Sequence, residues 1–187
     1  MCSGDRRHSV AREKLRKVIL AVLLLASSSL AQSKVAPVNP EAACGAGDVE
    51  FNVKSDPHGQ HLPIADPGKA LLYFIDTPQV ELFSGTPIVK IALDGAWVGA
   101  NHGDSYFFLS VEPGEHHLCA SWQSSVPSEQ QVALNSLIVE AGKTYYFRTR
   151  VTGDYRVGYS LDLAKTNSDE AQLLIARSPY SISRAKK

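Results

Sequence analysis

Residues 88–122 read IVKIALDGAWVGANHGDSYFFLSVEPGEHHLCASW, and the turns inside this stretch decide the fold. Ile88 to Leu93 is a short apolar strand in which Ile91 and Leu93 alternate with Lys90. Asp94-Gly95 then turns the chain into Trp97-Val98, and Asp-Gly suits a type I′ hairpin because both central residues reach positive φ cheaply. Tyr106 to Val111 is a second strong strand, and Pro113-Gly114 has the signature of a type II turn. The chain returns through His116 to Trp122. Alternation places Phe107, Leu109 and Val111 on one face, with Leu118 and Ala120 as their core partners. Trp97 and Trp122 flank the two hairpins, so at least one is expected to be mostly buried.

The same pattern extends in both directions. Ala70 to Ile75 is a compact apolar strand upstream. Downstream come Leu134 to Glu140, a turn at Ala141-Gly142-Lys143, Thr144 to Val151, a turn at Thr152-Gly153-Asp154, and Tyr155 to Leu163. Short strands separated by glycine turns predict a mainly β chain, an antiparallel sandwich or meander. Ser168 to Ala176 begins with a capping residue and two acids and continues apolar, which predicts one short C-terminal helix with Ser168 as its N-cap. The expected organisation is a signal peptide over 1–31, a proline-rich arm over 32–67, a sandwich-like domain over 68–180 and a basic, frayed tail over 181–187. Val49, Phe51 and Val53 alternate within the arm, so a short strand is expected just after Cys44.

The signal peptide is read from three regions. Arg12 to Lys17 is basic, Val18 to Ala26 is apolar, and Ser29-Leu30-Ala31 offers small residues for cleavage. The apolar run is shorter than the roughly 20 residues of a spanning helix, so no transmembrane helix is expected after processing. This implies a periplasmic or extracellular address. Cleavage would remove Cys2 and leave Cys44 and Cys119, an even pair in an oxidising compartment, which predicts a disulfide between them. Six of the 19 basic and two of the 19 acidic residues precede residue 32, leaving 13 against 17 and a net charge of −4. A mildly acidic domain lacks the basic footprint that nucleic acid requires, so no nucleic-acid partner is expected.

The pattern offers little for catalysis. His58 and His61 sit among prolines, and His116 and His117 are adjacent, so on a strand they face opposite ways and do not share an ion easily. Asp56, Asp66, His102 and Asp104 follow no metal-ligand spacing. There is no Gly-x-Ser-x-Gly elbow and no phosphate loop, and Gly95, Gly99 and Gly103 punctuate strands with no helix after them. No metal, cofactor or catalytic residue is expected. The candidate binding surface is on Thr144 to Val151. There Tyr145, Phe147, Thr149 and Val151 form the core face, while Tyr146, Arg148 and Arg150 form an exposed aromatic and cationic stripe on the other.

With these turns in place, residues 93–101 (LDGAWVGAN), 105–108 (SYFF), 111–119 (VEPGEHHLC) and 140–148 (EAGKTYYFR) carry a resemblance. Over roughly residues 69–176 the chain resembles the bacterial envelope family catalogued as domain of unknown function 2846, whose members are exported or lipid-anchored. The layout also resembles short surface β-modules with a Pro-Glu-Gly-Ala signature. The resemblance implies a β fold and an envelope address, and it carries no activity and no catalytic residues. No cysteine directly follows the apolar run, so this chain departs from the lipid-anchored members. The expected function is a non-catalytic envelope module binding protein, glycan or another envelope component. The alternative is a periplasmic enzyme or metal-binding protein using the histidines.

Overall fold

β2 (Ala70–Asp76) is apolar at both odd and even positions, and every one of its seven residues is buried. Its neighbours in the computed structural model explain this. β2 pairs antiparallel with β5 (Ser105–Val111) and parallel with β8 (Thr144–Asp154), at the centre of a six-stranded sheet. Leu72 and Phe74 point into the core between two sheets, while Leu71, Tyr73 and Ile75 point to the opposite face. The structure describes residues 43–44, 49–56, 63, 66–78, 86–123, 131–154, 156 and 158–186, all within the compact unit Val38–Lys187. The expected signal peptide over 1–31, most of the arm, and His58 and His61 lie outside the described residues.

The larger sheet runs β1–β10–β5–β2–β8–β9, with β1 at Phe51–Asp56, β9 at Gly158–Thr166 and β10 at Tyr180–Ala185. The smaller sheet runs β4–β3–β6–β7, with β3 at Ile88–Leu93, β4 at Ala96–His102, β6 at Gly114–Gln123 and β7 at Val132–Val139. A helix, α1 (Ser168–Arg177), lies on the outer face of the larger sheet against β2 and β8. The fold is thus mainly β, a two-sheet sandwich with a short helix near the C-terminus. Its core contains Phe74, Phe107, Leu118, Trp122, Phe147 and Val151. Burying each such large side chain contributes about 1.5–3 kcal/mol. The aromatic row Phe107–Phe74–Phe147 crosses three neighbouring strands with ring centroids 5.2 and 5.9 Å apart. Gly99 lies against this row, where a Cβ would meet the Phe107 ring at 2.8 Å.

The sides of the sandwich are closed by side chains. β4 is an edge strand, and two serines of β10 satisfy its Ala100 backbone: Ser181 Oγ donates to the carbonyl at 2.8 Å and the amide donates to Ser183 Oγ at 3.1 Å. On the other side Asn135 Nδ2 donates to the Leu163 carbonyl at 3.0 Å. The Gln123 side-chain amide clasps the start of β1, accepting from the Phe51 amide and donating to its carbonyl. Occupied edges resist pairing with another chain.

Several expectations change in detail. The β2–β8 and β5–β10 pairs are parallel, so the chain is a sandwich with crossovers and not a simple meander. Residues 180–185 form β10, paired along its length with β1, where a frayed tail was expected. The alternation of Ser181 and Ser183 with outward residues fits β10 between two strands. β1 is the short strand expected after Cys44, and it belongs to the sheet of the domain and not to a separate arm. Thr152-Gly153-Asp154 remains in β8, paired with β9 down to Asp154↔Gly158, so the turn comes later. The N-cap of α1 is Asn167, whose side chain accepts from the Glu170 amide at 2.9 Å, one residue before the expected Ser168. Gly114 has a φ of 145°, wider than the ~80° of a type II turn. Asp94 and Gly95 have φ of 49° and 80°, as a type I′ turn requires.

Candidate functional site

The stripe of Tyr146, Arg148 and Arg150 lies on the face of β8 opposite the core, as its alternation predicts, but that face is not open. Leu71, Tyr73, Ile75 and Tyr106 fill the same face and α1 settles on them through Ala171, Leu174 and Ile175. Tyr146 stacks on Tyr73 with ring centroids 5.2 Å apart. Burial pushes the Tyr73 hydroxyl up to about 12, and the neighbouring Tyr146 and Tyr106 hydroxyls add to it. Arg148 points at the first turn of α1, donating through Nη1 to Glu170 at 2.6 Å and through Nε to Thr77 Oγ1 at 2.6 Å. Its side chain is 15% exposed. Arg150 stays half-exposed, 4.0 Å from the same carboxylate. Glu170 is held below the usual carboxylate range, first by the Thr166 hydroxyl and then by the two guanidinium groups.

The expected exposed stripe is therefore corrected. Arg148 anchors the helix, and its cationic charge is already matched. Tyr146 borders a shallow depression of about 390 Å³ that also takes in Lys143, Tyr145, Lys165 and Ser168. The Lys165 ammonium sits 5.0 Å from the Tyr145 ring centroid. The signal for the helix contact was in β2, whose apolar residues at both parities require cover on both faces.

Cys44 and Cys119 are joined, with Cα atoms 5.1 Å apart. The bond fastens Ala43 and Cys44 over the outer face of the smaller sheet, where they pack with Ala92, Trp97 and Leu134. The Gly95 amide donates to the Ala43 carbonyl at 3.2 Å, so this segment also touches the β3–β4 turn. For a loop spanning 75 residues, the chain-entropy model gives roughly 4 kcal/mol of stabilisation.

The histidines divide as strand geometry requires. His116 Nδ1 lies 2.6 Å from Asp94 Oδ2 and its Nε2 lies 2.7 Å from the Glu112 carbonyl. Both ring nitrogens thus face acceptors, a geometry that the imidazolium satisfies and the neutral ring does not. Burial pulls the His116 pKa down, but the bonds to Glu112 and Asp94 outweigh it, and the net shift is upward. His117 is exposed and contributes its amide to Asp94 Oδ1 at 2.8 Å. Together they pin the type I′ turn to β6. No three His, Cys, Asp or Glu side chains converge on a metal-binding point among the described residues.

One polar group was missed in the sequence. Asp76 ends β2 on the core side, fully buried, level with Ser105 on β5 and Thr149 on β8. Thr149 Oγ1 donates to Asp76 Oδ1 at 2.7 Å, while Oδ2 meets no hydrogen-bond partner among the described residues. Burial pushes this carboxyl up to about 7 and the Asp104 charge adds to that, against the hydrogen bonds from Thr149 and the Thr77 backbone.

No family model matches this chain, and no curated protein or solved structure matches it either. The chemistry of the site therefore rests on the geometry above. That geometry offers a stapled scaffold, an anchored helix and a depression beside Tyr146. Among the described residues no helix is long and apolar enough to cross a membrane.

Proposed function

We propose that this chain is an exported, non-catalytic binding module of the bacterial cell envelope. The observation that carries the reading is the Cys44–Cys119 disulfide, because such bonds form and persist in oxidising compartments. The basic–apolar–small pattern of residues 12–31 supports the same address, as does the resemblance of residues 69–176 to an exported envelope family. The scaffold suits binding more than chemistry: Asp94 and His116 are engaged in holding a turn, and Arg148 and Glu170 in holding the helix. The ligand is a protein, a glycan or another component of the envelope.

Fractionation of cells producing the full chain tests this. The expected result is a periplasmic or extracellular species whose mass begins at Gln32, with both cysteines protected from alkylation until reduction. An intact chain in the cytoplasm with both thiols reactive overturns it. Mild crosslinking of that fraction then identifies the envelope component held.

A further inference from the structure

A second concavity lies away from the stripe. It is a cleft of about 630 Å³ along the β1–β10 ribbon, where the ends of β3 and β4 approach it. Phe51, Val53, Ile88 and Ile182 give it an apolar lining, and Ile182 is 42% exposed. Among the described residues its ionisable lining is basic: Lys54, His102, Arg184 and Lys186. The register of the ribbon orders these groups. Lys54 pairs across the strands with Ile182, and Asn52 with Arg184. These four side chains share one face of the ribbon. Lys54 and Arg184 are thus diagonal neighbours, roughly 7–8 Å apart at that spacing, with Ile182 beside them. Lys186 is matched by Glu50 at 2.6 Å. Among the described residues no carboxylate pairs with Lys54 or Arg184.

Two unneutralised cations beside an exposed isoleucine repel one another and leave apolar surface in water. One ligand chemistry relieves both: an anionic end between Lys54 and Arg184 beside Ile182, and a hydrocarbon end that rounds the free edge of β1 towards Val53 and Ile88 on its other face. We propose that this cleft binds a small amphipathic anion free in solution, a single hydrocarbon chain ending in a carboxylate. The volume falls within the roughly 300–1,000 Å³ of small-molecule sites. Two cations on one short ribbon are too few for a nucleic-acid track, which neutralises many phosphates in succession. The inference gives the binding-module reading a ligand class, and its test on purified protein is separate from the test of export.

The test is calorimetric titration of the full, disulfide-bonded chain with dodecanoate below its micelle concentration, with amide NMR shifts recorded alongside. Saturable binding is expected, with the largest shifts at Val53, Ile88, Ile182 and Arg184. Lys54→Gln combined with Arg184→Gln should weaken it at least tenfold, and Ile182→Asp should abolish it. Dodecyltrimethylammonium, with the same tail and the opposite charge, should bind at least tenfold more weakly than dodecanoate. Inorganic phosphate should not bind measurably. Equal affinity for the cationic detergent overturns the proposal, as do unchanged affinity in the double variant and shifts centred elsewhere. Adsorption to phosphatidylglycerol vesicles without dodecanoate binding also overturns it, in favour of a membrane surface. The NMR map of the unaltered chain decides the location even if a variant fails to fold.

Discussion

Arg148 on β8 and Glu170 in the first turn of α1 meet at 2.6 Å, and this pair joins the helix to the sheet. The guanidinium also receives support from Thr77, so one side chain ties together β8, the end of β2 and α1. Arg148→Ala is expected to cost roughly 1–3 kcal/mol through the loss of two charge-assisted hydrogen bonds. Phe107→Ala, in the packed core, is expected to cost more, about 3–5 kcal/mol. Equilibrium urea unfolding measures both. A change within about 0.5 kcal/mol for Arg148→Ala, the usual range for an uninvolved surface position, shows that the helix contact does not contribute.

Asp76 gives the domain a pH dependence of known sign. Its folded pKa is raised from the ordinary 3.8 to about 7, with burial as the largest cause. Below about pH 4 the folded and unfolded chains both hold the proton, and the side chain adds no pH slope. Between about pH 4 and pH 7 the unfolded chain ionises first, so stability falls as pH rises, by roughly 4 kcal/mol at most, and levels off above. Asp76→Asn should remove this fall and raise stability at pH 8 relative to the unaltered chain. Urea midpoints between pH 4 and pH 8 check it. An identical slope in the variant assigns the effect to another group.

His116 works in the opposite sense. Its folded pKa is raised above the ordinary 6.5, so the stability it contributes is present below that value and is lost as pH rises through the folded value. Asp94 is shifted below its ordinary carboxylate value despite partial burial, because the His117 amide and the His116 ring hold the charged form. NMR titration of the His116 ring should show a midpoint above 6.5, and Asp94→Asn should lower it. A midpoint unmoved by Asp94→Asn shows that the pair does not couple.

The strands were legible because their alternation and their turn residues agree. Asp94-Gly95 falls between two apolar runs, and the paired positive φ values follow from that dipeptide. The disulfide was legible from cysteine arithmetic alone. What surrounds the stripe was not. Tyr146, Arg148 and Arg150 have the pattern of a solvated face, and nothing local says that residues 168–177 fold back over it. The clue was on the neighbouring strand, far upstream in sequence, in Leu71, Tyr73 and Ile75, which required cover on the same side. Asp76 was harder still. An aspartate at a strand end has the pattern of a turn residue, and its burial depends on Ser105 and Thr149 arriving from strands far apart in sequence. β10 was hidden by its composition, since serines and charges dominate residues 181–187 and its partner β1 lies about 130 residues upstream.

The Asp94-Gly95 turn sets the β3–β4 register. Gly95 has a φ of 80°, and its amide reaches the Ala43 carbonyl beside the disulfide. A side chain at this φ is strained, and the strain depends on its shape: β-branched residues are poorly tolerated there, whereas Asn enters the left-handed region readily. Gly95→Val should therefore destabilise the domain by roughly 1–3 kcal/mol, and Gly95→Asn by clearly less. Because Gly95 also supports the segment that carries Cys44, the two substitutions should differ in a second way. In Gly95→Val the Cys44–Cys119 bond should reduce faster under limiting reductant, since the Ala43 contact that shields it is lost. In Gly95→Asn the reduction rate should stay near that of the unaltered chain. Urea midpoints and timed alkylation with iodoacetamide of the thiols released by dithiothreitol measure the two effects independently. Equal midpoints for Val and Asn contradict the positive-φ turn. Unequal midpoints with equal reduction rates leave the turn intact and remove the link between the turn and the staple.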